Sequence, residues 1–159
     1  YAKKAGMELI PDGITIDLYG TPTLLMHGDS LCTDDVEYQQ FRAMVRSPQW
    51  QQQILAQPLA ARRALAAQLR AKSQSMNSLK ADDIMDVSPA EVVAQMEAAR
   101  VTRLIHGHTH RPAVHEFQGL DGQPAYRYVV GDWYQQSSYL AITADDWTLH
   151  FCPLAATSA

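Results

Sequence analysis

The chain has 159 residues, 47% of them apolar and 19% charged, which is enough for one core of ordinary domain size and excludes wholesale disorder. No apolar run approaches the roughly 18 residues of a membrane span. Two cysteines, Cys32 and Cys152, make no disulfide framework and point to a reducing compartment.

The net charge of −4 hides a segregation. Tyr38 to Ala81 has no acidic residue and carries Arg42, Arg46, Arg62, Arg63, Arg70, Lys72 and Lys80, while the remainder is strongly acidic. A general nucleic-acid binder is basic across its domain, so nucleic acid is not an expected partner. The basic segment is expected to meet a phosphate, a nucleotide or a lipid surface, or to be simply a solvated helix pair.

Tyr1 rather than Met stands first and helix-like residues follow at once; we expect a longer protein whose start precedes this point. Ile14–Tyr19 alternates as a half-buried strand does, Gly20-Thr21-Pro22 reads as a turn, and Leu24-Leu25-Met26 is a short buried strand ending at His27-Gly28-Asp29. Asp34 offers an N-cap with Glu37 closing a capping box, and that helix should stop before Ser47-Pro48. A short piece carrying Trp50, Ile54 and Leu55 leads to a long helix from Leu59 to Lys80, rich in good helix formers. Ser88-Pro89-Ala90-Glu91 combines an N-cap, a proline at the first helical position and a capping-box Glu. Strands are expected at Val101–Ile105, Val114–Phe117, Ala125–Val130 after an Asp121-Gly122 turn, Tyr139–Thr143 and Trp147–Phe151. The layout is that of a layered α/β domain, residues 1–33 and 82–159, interrupted by a helical cap over 34–81.

Four of the six histidines lie between positions 106 and 115. His108 and His110, two apart in an extended segment, can reach one site, and Gly107 beside them allows a tight turn. Neutral imidazoles at a strand exit suit Zn, Mn or Fe, although a surface or core role for such a pair is the commoner outcome. His27 follows its own buried run, and two strand ends on one edge of a sheet bring it within reach of the other two. His106, His115 and His150 lack such support; His106 is still on the strand. Asp29 and Asp132 are the best internal carboxylates, and each equally reads as a turn or cap residue.

On a helix Arg70, Ser73, Asn77 and Lys80 form one polar stripe beside the apolar Leu65, Leu69, Met76 and Leu79. Such a stripe suits a ligand with a polar head and hydrocarbon chains, and equally a solvated helix face. Trp50, Ile54, Leu55 and Leu59 near Arg62 and Arg63 would let the cap lie on an anionic membrane.

Met26-His27-Gly28-Asp29-Ser30-Leu31-Cys32-Thr33-Asp34-Asp35 and Ile105-His106-Gly107-His108-Thr109-His110-Arg111-Pro112 resemble the calcineurin-like metallophosphoesterases. The insertion (Arg70 to Ser73, Asn77, Lys80), Ile84-Met85-Asp86-Val87 and Val130-Gly131-Asp132-Trp133 are similar to the branch that hydrolyses UDP-2,3-diacylglucosamine in lipid A biosynthesis. The resemblance implies a metallophosphoesterase β-sandwich flanked by helices, with a helical cap. It also implies two Mn(2+) ions sharing a hydroxide that attacks the α-phosphorus, releasing UMP and 2,3-diacylglucosamine 1-phosphate. By the same resemblance His27 and His108 bind one metal and His110 the other. His108 also touches the phosphate as a catalytic residue, and Asp35, Arg70, Ser73, Asn77 and Lys80 hold the substrate. The place implied is the cytoplasmic face of the bacterial inner membrane, as a peripheral protein. The family's opening Asp-x-His and its Gly-Asn-Arg-Asp do not occur here, and the Gly-Asp pairs present, Gly28-Asp29 and Gly131-Asp132, are not the one that stands between them in the family. We therefore expect a missing N-terminal segment of the same protein to supply the bridging aspartate and catalytic arginine, and this chain alone to be inactive. A truncated metal- or lipid-binding fragment, or a different phosphoesterase of the superfamily, are the competing readings.

Overall fold

The computed structural model describes residues 2–77, 86–134 and 136–154. They divide into two compact units, Tyr1–Leu31 with Val87–Ala159 and, separately, Cys32–Asp86. Among the described residues no helix is long and apolar enough to cross a membrane.

The first unit is α/β. After a four-residue helix α1 (Ala2–Ala5), strands β1 (Gly13–Leu18) and β2 (Thr21–Met26) form an antiparallel hairpin with Leu18 opposite Thr21. Its two-residue loop is Tyr19-Gly20, both at positive φ (54° and 83°), the primed turn whose twist matches that of the flanking strands. The expected turn at Gly20-Thr21-Pro22 is thus displaced by one residue, and Thr21 and Pro22 already belong to β2. Pro22 is tolerated because it sits at the strand's start.

Helix α5 (Pro89–Ala99) then leads into β3 (Arg103–His106), and β4 (Ala113–Gln118) and β5 (Pro124–Val129) follow. The turn between β4 and β5 does fall on Asp121-Gly122, at φ 56° and 70°. The sheet order is β1-β2-β3-β5-β4, with β2/β3 and β3/β5 parallel and the two outer pairs antiparallel. A second antiparallel sheet is the hairpin of β6 (Gln136–Ile142) and β7 (Trp147–Pro153).

The register sorts the side chains. Leu24 and Leu104 are partners on adjacent strands, His106 is opposite Val129, and all four are buried. Helix α5 adds Val92 and Met96 to the buried set. Ser88 stands at its N-cap position as expected, but no side-chain cap bond forms; its N–H donates instead to the Leu31 carbonyl at 2.8 Å. Pro89 at the first helical position needs no donor partner.

The opposite phase of the sheet carries Arg103, Tyr126 and Tyr128. The Arg103 guanidinium lies 4.7 Å from the Tyr126 ring centroid and 4.6 Å from that of Trp147 on β7, and it donates to the Tyr128 hydroxyl. The Tyr128 and Trp147 rings are 5.2 Å apart. A cation held between two π faces, with aromatic area buried around it, ties the β6/β7 hairpin to the main sheet.

The second unit is helical: α2 (Val36–Arg46), α3 (Pro48–Leu55) and α4 (Leu59–Asn77). Asp35, not Asp34, is the N-cap of α2, its carboxylate accepting from the Tyr38 N–H at 3.0 Å. The expected capping box was therefore one residue out of register, since Glu37 falls at the second helical position. Ser47 caps α3 through its hydroxyl, 3.3 Å from the Trp50 N–H, and Pro48 follows at the first position, so the break expected at Ser47-Pro48 is also the next helix's start. Lys80 lies outside the described residues.

Burial raises the Tyr128 hydroxyl above its ordinary value of 10.0, against the lowering effect of Arg103. The unfolded chain therefore ionises first, and stability present below pH 10 should be lost as pH rises through and beyond it. Thermal melts between pH 9 and 11.5 should show a fall in Tm that is shallower in Tyr128→Phe; parallel slopes in the two proteins would refute this.

Candidate metal centre

His27 and His108 stand just past the ends of β2 and β3, which run parallel as neighbours. Parallel pairing places the two exits side by side on one sheet edge, where α/β proteins place their sites. The result is close: His27 Nε2 lies 3.2 Å from His108 Nδ1, with ring centroids 5.0 Å apart and planes inclined by 70°. His27 is exposed and His108 half-buried. The backbones are joined as well, the Gly107 N–H donating to the His27 carbonyl at 3.0 Å.

The tight turn beside Gly107 is made by the histidines themselves. His108 (φ 66°) and His110 (φ 54°) adopt the left-handed conformation, which costs a non-glycine residue of order 1 kcal/mol and concentrates at functional sites. The glycine that geometry does demand is Gly28, at φ 105°. A Cβ there would come within 2.6 Å of His106 Nδ1.

His110 is exposed. Its Nδ1 lies 3.7 Å from Asp132 Oδ2, and its ring meets the edge of Tyr134 at 6.2 Å. Asp132 follows β5, the other parallel neighbour of β3. Trp133 and Tyr134 beside it are exposed, with the Trp133 indole N–H anchored on the Ser138 carbonyl at 3.0 Å.

The donor set fits a divalent cation in part. Two nitrogens on one ion at about 2.0–2.1 Å, with an angle of about 90–109°, are about 3–3.4 Å apart, and the 3.2 Å separation of His27 and His108 falls in that range. Among the described residues no three His, Cys, Asp or Glu gather as a metal-holding group, so the three imidazoles are not a ready-made triad. Asp29 is buried at the start of a 3₁₀ turn (Asp29–Leu31), and Asp35 is engaged as a helix cap.

Other expected site residues are placed as follows. Arg70 and Ser73 are exposed and one turn apart on α4, and Asn77 is its last residue. Sequence reasoning passed over His106. It shares the inward phase of Leu104 on β3 and is buried, a position that the period-two alternation of the strand already contains.

No family model matches the chain. It is 60% identical over 144 residues to the UDP-2,3-diacylglucosamine hydrolase of Cellvibrio japonicus (strain Ueda107), a match covering 91% of this chain and 60% of that protein. It is 52% and 51% identical over 154 residues to the proteins of that name from Salmonella arizonae and Salmonella typhi, covering 97% of this chain and 64% of each. The chain thus spans 60–64% of the length of the curated relatives it matches. Their name is that of the branch the motifs resemble.

Gly28→Ala should destabilise the protein by about 3 kcal/mol, the sum of backbone strain and overpacking against His106. Urea unfolding reads this as a shift in midpoint; a loss under about 0.5 kcal/mol would contradict the packing described.

Proposed function

We propose that the protein hydrolyses the pyrophosphate bond of UDP-2,3-diacylglucosamine at the phosphorus next to uridine, releasing UMP and 2,3-diacylglucosamine 1-phosphate, as a Mn(2+)-dependent hydrolase of lipid A biosynthesis. The observation that carries this reading is the His27–His108 pair, 3.2 Å apart at the exits of adjacent parallel strands, in a chain 51–60% identical to hydrolases of that name.

In this reading His27 and His108 hold one ion and His110 the other. His108 also contacts the substrate phosphate. The chemistry that Mn(2+) supplies when bound is an activated water and neutralisation of the charge growing on phosphorus. Asp132, beside His110, fixes which face of that ring is offered. Asp35, Arg70, Ser73, Asn77 and Lys80 bind the substrate; the polar spacing along the helix, interleaved with Leu65 and Leu69, suits a charged head group attached to acyl chains. The acid-free segment, with exposed Leu55 and Leu59 near Arg62 and Arg63, suits peripheral attachment of the helical unit to the anionic inner membrane at its cytoplasmic face.

Neutral imidazoles alone leave a hard cation's charge uncompensated, and Mn(2+) favours oxygen ligands. The bridging carboxylate and catalytic arginine are therefore assigned to residues outside these 159. The test is UMP release from UDP-2,3-diacylglucosamine with Mn(2+). In a full-length protein carrying this chain, His27→Ala and His108→Ala should each lower kcat/KM by at least about 100-fold. Asn77→Ala and Lys80→Ala should act mainly on KM. Residues 1–159 alone should release no UMP above background. Turnover by the isolated 159 residues near that of a full-length relative would refute the assignment of ligands, and wild-type rates in both histidine variants would refute the metal site.

A further inference from the structure

His106 is 1% exposed, yet its ring and its backbone reach the peptide next to His108. Its main-chain carbonyl accepts from the Val130 N–H at 2.9 Å. Its Nδ1 lies 2.9 Å from the Gly107 carbonyl oxygen and its Nε2 lies 3.2 Å from Arg127 Nη1. A carbonyl accepts only, so Nδ1 carries the proton, and Nε2 then receives the guanidinium N–H; the neutral imidazole satisfies both contacts. The ring also fills the space that Gly28 leaves open, where a Cβ would be 2.6 Å from Nδ1. Gly107 in turn donates to the His27 carbonyl at 3.0 Å. One buried imidazole thus touches the peptide from which His108 departs and the residue that follows His27.

We propose that His106 is a positioning residue for the His27–His108 pair, acting through the Nδ1–H bond to the Gly107 carbonyl. The inference rests on the reading of that pair as metal ligands. Holding the Gly107 peptide fixes the left-handed step at His108 (φ 66°) and keeps the two ring nitrogens at the spacing one ion requires. A side chain that merely filled the core would do so by volume, whichever of its nitrogens were kept.

Amide substitutions separate the two roles. Asn places a polar atom where Nδ1 was, Gln places one where Nε2 was, and both leave a void of similar kind. In the full-length protein, with Mn(2+) alone as the probe, His106→Asn should bind within about threefold of wild type, and His106→Gln and His106→Leu about 10–100-fold more weakly, the range typical of groups that orient metal ligands. The second readout needs no metal: amide hydrogen exchange at Gly107 should be faster in His106→Gln and His106→Leu than in wild type, and near wild type in His106→Asn. Equal behaviour of Asn and Gln in both readouts, or better retention by Gln, would overturn the proposal. If wild type takes up no Mn(2+), the reading of the pair as ligands fails, and the exchange rates alone decide whether His106 holds the Gly107 peptide.

Discussion

Everything about the candidate centre depends on the parallel pairing of β2 with β3, which aligns Thr23, Leu24 and Leu25 with Arg103, Leu104 and Ile105. Parallel strands end on the same edge, so the residues that follow them are neighbours although His27 and His108 are 81 positions apart in sequence. The pairing is stabilised by what it buries. Leu24 and Leu104 meet on one face, and on the other Arg103 is held among Tyr126, Tyr128 and Trp147. The energetic centre of the unit is therefore an apolar and aromatic core that has no part in the chemistry, and the histidines are carried at its margin.

The margin itself is built on backbone that ordinary residues avoid. Gly28, His108 and His110 all have positive φ, and at the two histidines that step costs free energy that the rest of the fold must offset. The offset is visible in the contacts around them. The Gly107 N–H is engaged by His27, the Val130 N–H by His106, and the Gly131 N–H by the Ser138 hydroxyl at 2.9 Å. Rigid support of strained loops is the arrangement expected where ligand geometry has to be held before a ligand arrives.

The helical unit follows different physics. None of the residues of α2 or α3 is buried, and apolar side chains such as Val36, Met44, Leu55 and Leu59 remain exposed. Its helices are set by capping and propensity more than by core packing: Asp35 and Ser47 supply the N-caps, and Ala, Leu, Gln and Arg supply the propensity of α4.

Much of the α/β architecture was legible in the chain before any coordinates. Alternation and turn residues located β1 to β7 within a few positions, and proline and capping residues located the helices. The misses are local and share one cause. Tyr19 in a primed turn and Asp35 rather than Asp34 as cap are each a choice between adjacent residues, which hydrogen bonding and close packing decide. The pattern of His27-Gly28 and His106-Gly107-His108 marked candidate ligands because residue type and spacing are properties of the sequence. That His27 pairs with His108, that His110 turns to Asp132 instead, and that His106 lies buried against Gly28 and Arg127 depend on strand order and on which face of the sheet each side chain enters. Only the tertiary structure decides those, because they arise from contacts between segments far apart along the chain.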